Sequence, residues 1–121
     1  MDNPATIASQ FRQAWSVAFR ARDVTALAAL YTQDALFFGS TAELYRGREG
    51  VLAYFSTLQR DVALLAFEPQ DVIHAGPDTI VAAGYWQFRF GSEARPYRLT
   101  WTLVRRNGQW LIAAHHASPR S

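Results

Sequence analysis

A chain of 121 residues, half of them apolar and 14% aromatic, with a net charge of +2 and no cysteine, has the length of one domain and enough large side chains to close a core unaided. The missing cysteine excludes a disulfide framework, a thiolate nucleophile and thiolate metal ligands. The arginines are scattered, so no basic run is available to track a phosphate backbone and no nucleic-acid partner is expected.

The opening MDNPATIASQ lacks the charged start and apolar stretch of a signal peptide, and no apolar run approaches the ~20 residues of a membrane span. The expected location is the cytoplasm, away from membranes. Asn3 followed by Pro4 marks a helix start, since Asn can cap free N–H groups and proline suits the first helical position. The helix should run to about Ala21, with Ile7, Phe11, Ala14, Trp15, Ala18 and Phe19 on its buried stripe and Arg12, Gln13, Ser16 and Arg20 opposite.

Asp23 can cap a short second helix carrying Leu27, Leu30 and Tyr31. Asp34 then leads into a short apolar strand, Leu36 to Phe38, and Gly39, Ser40 and Thr41 turn the chain. The segment GREGVLAYFSTL predicts a third helix with Val51, Leu52, Tyr54, Phe55 and Leu58 inward. From Ala63 the period changes to that of strands, separated by turn signals at AGPDT, GSEA and Asn107-Gly108. Asn-Gly is the strongest hairpin signal of the three, because both residues tolerate the positive φ of a two-residue turn. A meander of long antiparallel strands is expected, giving an α+β domain over residues 1–121.

The last hairpin fixes a register. With Asn107 and Gly108 at the turn, Arg105 faces Trp110, Leu103 faces Ile112, Trp101 faces Ala114 and Leu99 faces His116, and opposed residues share a face. Pairing Phe90 with Arg95 across the GSEA loop adds Trp86, Phe88 and Phe90 to that face. The other face receives Tyr85, Gln87, Arg89, Arg98, Thr100, Thr102 and His115. Nothing but the helices can cover the aromatic face. The polar face is expected to form a back-to-back homodimer.

ALYTQDALFF, YRGREGVLAYF, LTWTLVRRNGQW and the terminal HHAS, in that order, resemble the nuclear-transport-factor-two-like (SnoaL-like) superfamily over roughly residues 5–119. The resemblance implies a cystatin-like cone, with three N-terminal helices packed on a curved, mainly antiparallel sheet around a pocket. The terminal block is most similar to the association domain of calcium/calmodulin-dependent protein kinase and its stand-alone bacterial relatives, a likeness carried by Gly108, Trp110, His116 and Ser118. Where that domain places arginines in its pocket, Leu99 and Trp101 stand here. Against the steroid isomerases of the superfamily, Trp15 occupies the tyrosine position and Gly39 the position of the aspartate base. No acid lies between Arg95 and Arg106, so the usual isomerase triad is absent.

His116 is the expected catalytic candidate, because the register turns it inward and an imidazole can act as acid, base or donor near neutrality; a buried histidine that closes the last strand is the competing role. Trp15, Phe19, Tyr31, Phe38, Tyr54, Trp86 and Trp101 are the expected ligand-binding residues, since rings with polar tips around an apolar cavity are the usual make-up of a ligand site. His115 and His116, as strand neighbours, face opposite ways and cannot chelate one ion, so no metal is expected. No phosphate loop or dinucleotide fingerprint implies a cofactor. Asp34 reads as a turn-fixing residue. These features point to a protein that binds a small apolar or aromatic molecule or performs cofactor-free acid/base chemistry on it, of isomerase, cyclase or dehydratase type. A non-catalytic oligomerisation domain is the alternative.

Overall fold

The computed structural model describes residues 3–58 and 62–120. Helix α1 (Pro4–Arg20) starts where expected: the Asn3 side chain accepts the Ala5 N–H at 2.8 Å, with Pro4 in the first turn. Its buried face is Ile7, Ala8, Trp15, Ser16, Ala18 and Phe19. Ala14 is exposed, and Ser16 is buried in its place because its hydroxyl donates to the Arg12 carbonyl at 2.7 Å. Asp23 caps helix α2 (Val24–Ala29) through the Ala26 N–H at 3.0 Å. Helix α3 (Gly47–Thr57) buries Val51, Tyr54 and Phe55 and leaves Leu52 exposed.

Seven strands form one sheet: β1 (Tyr31–Phe38), β2 (Leu44–Arg46), β3 (Val62–Phe67), β4 (Asp71–Gly76), β5 (Thr79–Phe90), β6 (Glu93–Arg106) and β7 (Gln109–Pro119). Their order is β2-β1-β7-β6-β5-β3, and β4 joins the same edge of β5 as β3. The two short strands divide β5 between them, β4 along Thr79–Ala83 and β3 along Trp86–Phe90. Strand β1 runs parallel to β7, and the other pairs are antiparallel. The result is the expected α+β cone of three helices on a mainly antiparallel sheet. Tyr31 begins a strand and is not part of α2.

The Asn107-Gly108 turn is present, with both residues at positive φ. Phe90 pairs with Glu93, two positions from the expected Arg95. A slip of two preserves the face of every residue, so Trp86, Phe88, Leu99, Trp101 and Leu103 all lie in the core. No helix among the described residues is long and apolar enough to cross a membrane.

The consequential departure lies in β7. Leu103 faces Ile112 as expected, but Thr102 faces Ala114, so Ala113 is an extra residue. One extra residue turns everything beyond it onto the opposite face. His115 therefore faces inward beside Trp101, and His116 faces outward beside Thr100. Strand β1 is irregular between Tyr31 and Leu36 and meets the shifted β7 with Phe37 opposite His115 and Phe38 opposite His116.

Candidate functional site: an aromatic chamber

The helices and the concave face of the sheet enclose a chamber of about 40 Å³. Trp15 and Phe19 come from α1, Tyr54 and Phe55 from α3, and Phe37, Trp86, Phe88, Tyr97, Leu99, His115 and Ala117 from the sheet. Trp15 stacks on Phe19 at 4.9 Å between ring centroids and meets Trp86 edge-on at 4.6 Å. Among its described lining residues no side chain is acidic or basic apart from the imidazole of His115.

A wider vestibule of about 420 Å³ adjoins the chamber, and Ser40, Tyr54, Leu58, Val62, Phe90 and Tyr97 border both spaces. Tyr54 stands at the junction, its hydroxyl accepting the Ser40 N–H at 2.9 Å and lying 2.7 Å from Ser40 Oγ. Gly39 is packed so closely there that a Cβ would fall 2.5 Å from the Tyr54 ring. A carboxylate at this position would have no room.

Behind the chamber wall runs a buried polar chain. Trp15 Nε1–H donates to the Tyr31 hydroxyl at 3.1 Å, and that hydroxyl lies 2.7 Å from His115 Nδ1. Burial pushes the Tyr31 phenol well above its usual pKa. Burial first, and the neighbouring His116 second, pull His115 down to about 3. At neutral pH both groups are uncharged, and His115 is a weak base.

Of the residues expected at the site, Trp15, Phe19, Tyr54 and Trp86 border the chamber. Tyr31 and Trp101 are core residues in contact with His115, their ring centroids 6.0 and 5.5 Å from its own. Phe38 and His116 are corrections: both are exposed on the outer sheet face, packed together at 5.6 Å. The extra residue in β7 turns His115 inward in place of His116, and the alternation along β1 turns Phe37 inward and Phe38 outward. Asp34 is exposed and paired with Arg106 at 2.9 Å, which holds its carboxyl below the usual range. Tyr97 escaped the sequence reading although its spacing of two from Leu99 and Trp101 puts it on the inner face.

The sequence profile of the SnoaL-like domain matches residues 8–120. The chain belongs to the SnoaL-like family. Its fold is shared with a Xanthomonas campestris structure assigned as a calcium/calmodulin-dependent protein kinase II association domain: 23% identity, TM-score 0.85, covering 98% of this chain and 89% of that one. A ketosteroid isomerase-like protein from Erwinia carotovora is similar at 18% identity and TM-score 0.86, over 100% and 99% of the two chains. ActVI-ORFA from Streptomyces coelicolor aligns at 20% identity and TM-score 0.82, over 93% and 95%. No curated protein sequence matches the chain. At these identities the likeness establishes the cystatin-like architecture of this SnoaL-like domain and leaves its chemistry to the chamber.

Proposed function

We propose that this SnoaL-like domain binds a small, largely apolar molecule, with the chamber and vestibule as its site. The observation that carries the reading is the wall itself: aromatic rings from two helices and the sheet around a space whose lining, among the described residues, holds one buried imidazole and no carboxylate. Apolar surface of this kind gains by covering an apolar ligand, and the few polar groups set its orientation. Binding is favoured over proton abstraction, because an imidazole pulled to about 3 is a poor base at neutral pH. Isomerase, cyclase or dehydratase chemistry would need His115 to act as a donor and the base to come from elsewhere.

Titration with N-phenyl-1-naphthylamine, an uncharged fluorescent probe, tests this. Saturable binding of one probe per chain is expected, with loss of at least tenfold in affinity in Ala117→Phe, which puts a ring where a half-buried methyl borders the chamber. Binding that is unsaturable, or equal in the variant, would sink the proposal.

A back-to-back homodimer through the outer sheet face belongs to the same reading. Leu36, Phe38 and Tyr85 are 49%, 40% and 38% exposed, and exposed apolar side chains gathered on one face are typical of a contact surface. Sedimentation equilibrium should give a dimer for the wild type and a dissociation constant raised at least tenfold for Phe38→Arg. A monomeric wild type would refute the dimer while leaving the pocket untouched.

A further inference from the structure

Strand β3 ends the sheet and pairs with β5 on one side only. A strand in that position presents backbone groups with which another strand can pair. Its sequence, Val62-Ala63-Leu64-Leu65-Ala66-Phe67, is uncharged and free of proline and glycine, and Leu65 is 45% exposed. Apolar segments of this length stack on copies of themselves when their edges are open. The strand at the opposite end, β2, is three residues long and ends in Arg46, and short length and charge are common ways of keeping an edge from pairing. β3 is longer and has no charge of its own.

Its protection comes from α1. Arg12 donates through Nη1 to the Glu68 carbonyl at 3.3 Å, just beyond β3, and Arg20 donates through Nη2 to the Leu64 carbonyl at 3.4 Å. Arg22, just past the helix, donates to the Val62 carbonyl. The order along the two elements is reversed, so α1 runs antiparallel to β3. The spacing fits. Arg12 and Arg20 are eight residues apart on a helix, about 12 Å, and Leu64 and Glu68 are four residues apart in extended chain, about 13 Å. The Arg12 guanidinium is held in place 4.2 Å from the Phe67 ring centroid.

Val62 and Leu64 are two positions apart, so their carbonyls point the same way, and a strand arriving at this edge would need them as acceptors. Arginine has donors only; it occupies these oxygens and leaves a positive charge across the approach, where a second copy would bring the same charges. We infer that Arg12, Arg20 and Arg22 guard the β3 edge, and that they prevent β3 of one copy from adding to β3 of another. The inference is independent of the chamber and of contact through the outer sheet face.

Arg12→Ala/Arg20→Ala removes two of the three donors and leaves Arg22 in place. Once its circular dichroism is shown to match the wild type's, thioflavin T fluorescence and sedimentation velocity follow assembly of both chains under agitation. The double variant should assemble into thioflavin-positive species with a lag at least tenfold shorter than the wild type's. Adding Leu65→Lys, a charge at an exposed position within β3, should restore the wild-type lag. Trp15→Phe, which weakens the core away from the edge, should keep the wild-type lag. An unchanged lag in the double variant would overturn the inference. So would assembly that Leu65→Lys leaves unaltered, or a lag equally short in Trp15→Phe, which would make instability the cause. Arg20 is exposed, so Arg20→Ala alone serves if the double variant does not fold; its lag should shorten at least threefold, and a wild-type lag there would equally overturn the guard.

Discussion

Lowering the pH from 7 to 4 is expected to remove about 3 kcal/mol of folding stability through His115 alone, at ~1.4 kcal/mol per unit of pKa difference. The folded pKa is about 3, against an ordinary value of 6.5. Between those two values the unfolded chain binds a proton that the native chain refuses, so stability rises with pH across the window. It is complete above pH 6.5, falls as the pH drops, and levels off below about pH 3. The first cause is burial, His115 being 4% exposed, and the second is the neighbouring His116. Carboxylates such as Asp34, held low by Arg106, lose stability in the same direction, so the wild type alone is not diagnostic. Urea unfolding of wild type and His115→Phe across this pH range separates them, because the carboxylate contribution cancels in the difference. The difference should slope by about one proton between pH 6 and 4. A flat difference would mean that native His115 is protonated or solvated.

The sequence carried the architecture because its strongest signals are local. Asn3-Pro4, Asp23 and Asn107-Gly108 are caps and a turn, and each is found with the geometry its chemistry requires. The inner face of β5 and β6 was also legible, because a period-two alternation survives a register slip of two residues. The site was less legible for one physical reason. A single extra residue at Ala113 reverses a face, and nothing in the local Ala113-Ala114 sequence marks it: no glycine, no proline, no turn residue. His116 was therefore expected where His115 stands, while Phe38 was expected on its ring alone, with no register for β1, and Phe37 is the residue beside His115.

Trp15→Ala is expected to lose about 3–5 kcal/mol of stability, the range for removing a large ring from a packed core. Trp15 is 2% exposed, stacks on Phe19 and meets Trp86, Phe55 and Phe88 edge-on. It joins three functions of the fold in one residue: it holds α1 against the sheet, forms part of the chamber wall, and donates to Tyr31. Trp15→Phe separates these roles. It keeps a ring in the wall but removes the indole N–H, and should cost less, about 1–2 kcal/mol for a lost buried hydrogen bond and the smaller ring. Thermal and urea denaturation give the two energies. If Trp15→Phe costs as much as Trp15→Ala, the hydrogen bond and not the packing anchors α1 to the sheet. The polar chain would then be a structural element first and a means of orienting His115 second.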